Sequence, residues 1–440
     1  MEPAAERPRV RRLLRGIATD ITPLRVARDY RLLWSGNLVS TTGRQITIVA
    51  LPYQVFLLTH SSLAVGLIGL VQLVPLVVLS LMGGAIADQV DRRLLLLATN
   101  ICLAMCSTVL MLGALLHWHT VAYLYALAGV IAAFSAVDQP TRSATIPNLV
   151  PPEHLASALA LNFAAFQTTL LVGPAVGGVI IGHVGLGTAY LIDVVTFAAA
   201  IGAVLAIAPQ PPRGSHREPV LQSIRQGLAY TWQQRVLLGS FAADMAAMVF
   251  GMRRALYPVL ATSVYNAGAT GLGFLYAAPG VGAVAAALSA GWVGRTRAQG
   301  RVVVTVVAVW GLSVIWLGLA HTLWMALLAL AVGGAADAFS AVARSTIMQT
   351  ITPDRLRGRM SAVYSMVVVG GPSIGDVEAG GVASAFDPEV SIVSGGVLCL
   401  LSLGVVAAAL PQLFRYRARY FTEARPEEQA AAGPGSAGGG

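Results

Sequence analysis

Long apolar runs alternate with short polar breaks along this chain. Twelve runs are long enough to cross ~30 Å of hydrocarbon at about 1.5 Å of rise per helical residue. They cover 32–58, 63–87, 94–116, 121–146, 155–182 and 187–208, then 236–264, 270–294, 302–320, 323–350, 360–385 and 391–414. A spanning segment must satisfy its own backbone hydrogen bonds, so each run predicts a membrane helix. The fold class expected is an all-α polytopic membrane protein, with twelve transmembrane helices in two pseudo-symmetric six-helix bundles.

The division falls at the connector, 209–235. It opens Pro209-Gln210-Pro211-Pro212, then repeats Leu221, Ile224, Leu228 and Trp232 at helical spacing. That pattern predicts a short amphipathic helix on the membrane surface. The expected organisation is a basic arm over 1–31, a first bundle over 32–208, the connector, a second bundle over 236–414 and a largely disordered tail over 415–440. In the arm, Leu13, Leu14, Ile17, Ile21 and Leu24 recur at helical spacing among arginines. This fits either a helix lying on an anionic leaflet or a disordered tether.

The two halves echo each other. Arg142-Ser143 is followed by Pro151, and Arg344-Ser345 by Pro353, with Pro nine residues after Arg in both. Gly173-Pro174-Ala175-Val176-Gly177-Gly178 matches Gly371-Pro372-Ser373-Ile374-Gly375-Asp376. Echoes about 200 residues apart indicate parallel six-span repeats.

Composition narrows the function. Charged residues make up 11% of the chain, against about 25% in soluble proteins. All 29 basic residues are Arg. Without Lys there is no phosphate-cradling P-loop and no Schiff-base chemistry. No Ser/His/Asp set or His/Glu metal spacing stands out, so the chain reads as no enzyme, with no cofactor or metal. Cys102, Cys106 and Cys399 all fall in apolar runs and read as packing residues. No separate apolar segment with a cleavage site marks a signal peptide.

The formal charge of +9 is informative through its placement. Breaks after even-numbered runs carry Arg92 and Arg93, Arg213 to Arg235, Arg295 to Arg301, Arg355 to Arg359 and Arg415 to Arg419. Breaks after odd-numbered runs carry none, and hold His60, His117, His119, His183 and His321 instead. The positive-inside rule then puts both termini in the cytoplasm. It also explains the arginines without nucleic acid.

Three features carry candidate chemistry. The first is Gly84-Ala85-Ile86-Ala87-Asp88-Gln89-Val90-Asp91-Arg92-Arg93, all the chain has to pass between the second and third runs. Asp88 there can pair with Arg92 or with the positive end of a neighbouring helix, beyond simple anchoring by Arg92 and Arg93. The second is Gly173, Pro174, Gly177 and Gly178, where small residues permit close helix approach and Pro bends the span. The third is charge inside the runs: Arg44, Asp138, Asp193, Asp244, Arg253, Arg254, Asp337, Asp376 and Glu378. Each costs at least ~2.5–3.5 kcal/mol at mid-bilayer unless paired, so each marks either a structural ion pair or a transport pathway. Asp193 and Glu378 read as structural.

Gly84-x-x-x-Asp88-x-x-Asp91-Arg92-Arg93 resembles the loop signature of the major facilitator superfamily, with Asp91 where a Gly is usual. The Gly173–Gly178 segment is similar to the span-five motif of its drug/proton antiporters, with Thr169 where a leading Gly is usual. Within the superfamily the resemblance is to siderophore exporters and the related exporters of macrolides and other drugs. It is carried by Arg254–Leu260, Gly273–Ala278 and Met348–Pro353. The resemblance implies a monomeric, proton-coupled exporter in the cytoplasmic membrane of a bacterium, working by alternating access. Spans 1, 4, 7 and 10 would line the cavity. Arg44, Arg253 and Arg254 then become candidates for substrate contact, favouring an anionic or polyhydroxylated ligand. Asp337, Asp138 and Asp244 become candidates for proton coupling. The partners implied are a siderophore-like molecule or drug, protons and the lipid bilayer. A membrane sensor or membrane enzyme is the remaining alternative.

Overall fold

The structure, a computed structural model, describes residues 20–211, 220–289, 291, 293, 296–353 and 356–417; for 80–88, 220–224, Ala362, Ser365 and Val369 it describes the backbone alone. The expected membrane-surface pattern of Leu13 to Ile17 and most of the tail lie outside these residues.

The apolar runs are helices: α1 Arg28–Thr59, α2 Ser62–Gln89, α3 Arg92–Leu115, α4 Ala122–Leu149, α5 Leu155–Val184 and α6 Leu186–Leu205. The second set is α7 Arg235–Gly251, α8 Gly268–Ser289, α9 Gln299–Gly318, α10 Leu323–Ile351, α11 Arg357–Ala385 and α12 Pro388–Ala409. By length and composition, ten helical stretches among the described residues are able to cross a membrane. α1 and α11 are as long but more polar. The connector forms the helix Val220–Gln233, with Trp232 70% exposed. Its Tyr230 hydroxyl donates to the Ile351 carbonyl at 3.0 Å, which ties it to the second half.

One predicted span differs. The run 236–264 is not one helix: α7 ends at Gly251, Met252 and Arg253 are non-helical, and a 3-10 turn Arg254–Leu256, a short α turn Tyr257–Val259 and a π turn Leu260–Val264 follow. Pro258 supplies no N–H and crowds the carbonyl four residues earlier, which opposes helix there. The freed Ala255 N–H donates instead to Asp376 Oδ1 of α11 at 3.0 Å.

Packing repeats between halves. α1 packs on α5 and α6, α2 on α4, and α3 on α4 and α6; in the second half α7 packs on α11 and α12, α8 on α10, and α9 on α10 and α12. The halves join through α5 against α8 and α2 against α11. Glycine allows both joints. A Cβ on Gly178 would lie 2.6 Å from Gly273 Cα, and one on Gly66 would lie 2.3 Å from the Asp376 carbonyl oxygen. Both contacts sit toward the end of the bundle away from Arg28, where α1 begins, and Ala409, where α12 ends.

Candidate functional site

In the first half the charges are closed into packing. Asp138 of α4 lies four residues before Arg142, and the guanidinium takes both its carboxylate oxygens at 3.0–3.3 Å. Thr99 Oγ1 and Asn100 Nδ2 of α3 add donors to Asp138 Oδ1 at 3.1 and 3.3 Å. A buried carboxylate needs such a full set of partners. Asp193 of α6 serves the same purpose beside it, accepting from Thr47 and Ser107 hydroxyls at 2.7 Å each and so joining α1, α3 and α6. Arg44 of α1 reaches Ser135 Oγ of α4 at 3.1 Å.

The second half places its charges around open space. Arg344 of α10 is 2% exposed and forms an ion pair with equally buried Asp244 of α7; its other terminal nitrogen is 3.7 Å from Asp337 Oδ1. Its guanidinium also lies 5.7 Å from the Tyr364 ring centroid, within cation–π range. Arg253, the largest of the fully buried side chains, pairs with Glu378 of α11 and donates to the Phe250 carbonyl. Gly395 of α12 makes room for it, since a Cβ there would overlap the guanidinium.

Two cavities lie between the halves. One, of about 450 Å³, runs between α2 and α11 and is lined by Gln72, Arg254, Asp337, Arg344, Tyr364 and Asp376. The other, of about 1060 Å³, runs between α5 and α8, with Gln45, Gln167, Arg254, Tyr257, Tyr276 and Asp337 on its wall. Arg254 and Asp337 line both. Arg254 is exposed, and its guanidinium has no ion pair among the described residues. Asp337 keeps 39% of its side chain exposed. The tyrosines Tyr257 and Tyr276 stack edge to face at 5.0 Å beside them.

Of the six charges expected on the cavity helices, the structure therefore brings Arg254 and Asp337 together at the junction of the cavities. Arg253 touches the larger cavity while its guanidinium is engaged by Glu378. Asp244 sits one partner back, behind Arg344. Arg44 and Asp138 gather in the first half. Asp376, one of the charges noted inside the apolar runs, is a cavity residue, and so is Arg344, which was not among the site candidates and whose echo of Arg142 was the available signal.

The two motifs take structural roles that their residue types explain. Asp91 is the N-cap of α3, with φ −56° and ψ 119°, and accepts from the Arg93 N–H at 2.8 Å. That backbone needs no glycine, and the carboxylate satisfies an otherwise orphan N–H. It also accepts from Gln210 N at 3.1 Å, binding the loop to the connector. Arg93 donates to the carbonyls of Val204 and Leu205, at the negative end of α6, at 3.2 and 2.5 Å. Arg92 donates to the Ala144 carbonyl of α4 at 2.8 Å. Gly84 and Asp88 lie in the part of α2 whose side chains are outside the described residues. In α5, Gly173 and Gly177 face Gln45 and Ile46 of α1, while Gly178 faces α8 and Pro174 offers its carbonyl oxygen to the surface of Gly273.

The chain matches a family model described as transmembrane secretion effector over residues 18–426. It is 26% identical over 416 residues to the enterobactin exporter EntS of Shigella boydii, covering 90% of this chain and 95% of that protein. The enterobactin exporter of Citrobacter koseri is equally similar, 26% over 411 residues, with the same coverage. Among solved structures, the nucleoside transporter NupG superposes with a TM-score of 0.71 at 12% identity, covering 86% of this chain and 99% of that one. A bacterial homologue of the lysosomal transporter Spinster superposes at 0.65 with 16% identity, covering 88% and 96%. The repeated helix pairing, the two glycine-lined joints and the match over nearly the whole described length agree: this chain belongs to the transmembrane secretion effector family of major facilitator membrane transporters.

Proposed function

We propose that the protein exports a siderophore-like small molecule across the cytoplasmic membrane of a bacterium, by alternating access and in antiport with protons. The observation that carries this is the unpaired Arg254 guanidinium facing Asp337 where two cavities between the halves meet. The relatives named enterobactin exporters support the substrate class. In this reading Arg254 contacts substrate and Asp337 takes the proton. The Arg344–Asp244 pair holds Asp337 in place, Arg253 lines the larger cavity, and Arg44 and Asp138 hold the first half's helices together. The arginine asymmetry supports cytoplasmic termini; in this reading the tight α5–α8 and α2–α11 joints close the outer end. The protein works as a monomer in the bilayer. Deleting the gene and assaying iron-free siderophore in the medium tests the reading; undiminished secretion in a strain with no second exporter overturns it.

A second reading is multidrug or macrolide efflux. It is favoured by the apolar walls of the larger cavity, where Phe163, Leu170, Val284, Val314 and Leu317 lie. Raised drug susceptibility on deletion, with normal siderophore output, would decide for it.

A further inference from the structure

We infer that the larger cavity holds a second substrate subsite, a recess between α7 and α10 floored by Trp310 of α9, which takes an uncharged apolar arm of the transported molecule and fixes it through a carbonyl oxygen that accepts from the Trp310 indole N–H. This rests on the transport reading above but not on the siderophore class within it.

The recess follows from where side chains are missing. α7 stops as helix at Gly251, and it packs on α9, α11 and α12 while touching α10 only lightly. On α10, Gly333 and Gly334 stand one turn before Asp337 and put no side chain into the space. The gap lets the cavity pass between the two helices as far as α9, whose Trp310, Ser313, Val314 and Leu317 are on its wall. The ninth span was not among those expected to line the cavity. Glycine sets the edges: a Cβ on Gly251 would overlap Trp310 Nε1, and one on Gly333 would lie 2.9 Å from Ser313 Oγ.

Trp310 is what points to a ligand. Its side chain belongs to a residue only 9% exposed, and its Nε1 has no hydrogen-bond partner among the described residues. The N–H faces the Gly251 backbone, itself on the cavity wall, so it stands at the rim of the space. An indole N–H can only donate, and a buried donor left unmet is costly, so the missing partner is an acceptor. The neighbouring Ser313 hydroxyl spends its proton on the Trp310 carbonyl at 2.7 Å. The rest of the floor, Val314, Leu317, Ala329 and Leu330, is apolar.

Charge stands elsewhere. Arg254 and Asp337 are at the junction of the two cavities, and the Arg253 guanidinium is turned to Glu378. A floor with one free donor and no free charge suits an apolar group with a single acceptor oxygen and rejects an ion. In the first half the third helix meets its own needs: Thr99, Asn100 and Ser107 are spent on the carboxylates of Asp138 and Asp193. The open donor of α9 is therefore a feature of the second half's own sequence, not of the repeat.

The test compares 3-hexanoylphenol with 3-hexylphenol, which differ only by the carbonyl. Binding to the purified full chain is measured by equilibrium dialysis, with the same detergent on both sides. The ketone is expected to bind about ten-fold tighter. In Trp310→Phe, which keeps a ring but not the N–H, the ratio of the two affinities should fall to about one. Equal affinities in the unmodified chain would mean that water meets the N–H, and would overturn the inference without any variant. A ratio that survives in folded Trp310→Phe would overturn it too, as would failure of both probes to bind folded protein. None of these outcomes touches the siderophore reading, which the deletion assay judges. Undiminished secretion, with the ratio lost in Trp310→Phe, would remove the siderophore and leave the recess standing.

Discussion

Arg142 and Arg344 occupy the same position in the two repeats, and the structure gives them different company. Arg142 finds its carboxylate four residues back on its own helix, at Asp138. In α10 that place is Ser340, whose carbonyl takes Arg344 Nε at 3.3 Å, and the carboxylates come from Asp244 of another helix and from Asp337. Asp337 in turn stands where α4 has Ser135, the partner of Arg44. One repeat has closed its charge inside a helix; the other has spread it across helices and left part of it facing open space. A self-contained pair survives when helices move against each other. A pair shared between α7 and α10 registers such motion, which is what a coupling site needs.

The largest test of that contrast is to remove each arginine. Arg344→Met leaves Asp244 buried without its counter-charge, and breaking a buried pair in this way costs about 3–5 kcal/mol. Arg142→Met leaves Asp138 with the Thr99 and Asn100 donors, so a smaller loss is expected, on the order of half that. Thermal unfolding of both variants in detergent measures the difference, and Asp244→Asn added to Arg344→Met should recover part of the loss. Equal destabilisation by the two arginine changes would remove the distinction between the repeats.

The glycine joints offer the next test. Gly178 of α5 and Asp376 of α11 are matched by the repeat, yet one is a bare backbone surface and the other a side chain bonded to the α7 break. Gly178→Leu must push α5 from α8, so transport is expected to fall more than about ten-fold while the folded protein still binds its substrate. Asp376→Asn keeps the side-chain oxygen for Ala255 N, so the drop should be only a few-fold. Uptake into inverted vesicles, beside ligand binding in detergent, separates the two effects.

The fold was legible because run length and arginine placement are one-dimensional signals. Eleven of the twelve apolar runs map onto helices with ends shifted by a few residues; the seventh, 236–264, stops as helix at Gly251. The broken α7 was not legible in the same way. Met252 to Leu256 is as compatible with helix as its surroundings, and Pro258 alone does not decide it: α1 carries Pro52 and stays one helix from Arg28 to Thr59. What ends α7 is tertiary, namely Arg253 held by Glu378 and Ala255 N taken by Asp376. The site divides similarly. Arg254 and Asp337 were visible as charges in apolar runs. That Arg253 is engaged and Arg254 open depends on side chains more than a hundred positions away, which no local pattern encodes.

The smallest effect is expected where the repeats enter their third helices. α3 begins at Asp91, whose carboxylate accepts from Arg93 N and Gln210 N. α9 begins at Ala298, which has no side-chain cap, and Gln299 instead folds back to donate to the carbonyls of Val293 and Thr296 at 2.7 and 2.8 Å. Asp91→Ala removes an N-cap and should cost about 1 kcal/mol, whereas Asp91→Gly, the residue usual in the superfamily signature, should cost a few tenths at the cap itself. The Gln210 contact is lost in both, so any extra shift common to the two variants measures the tie between this loop and the connector. Ala298→Asp supplies α9 with the cap it lacks and is expected to stabilise by up to about 1 kcal/mol. Unfolding midpoints in detergent report all three. If Asp91→Gly and Asp91→Ala prove equally harmful, the cap at α3 is incidental, and the Gln210 tie is what Asp91 contributes.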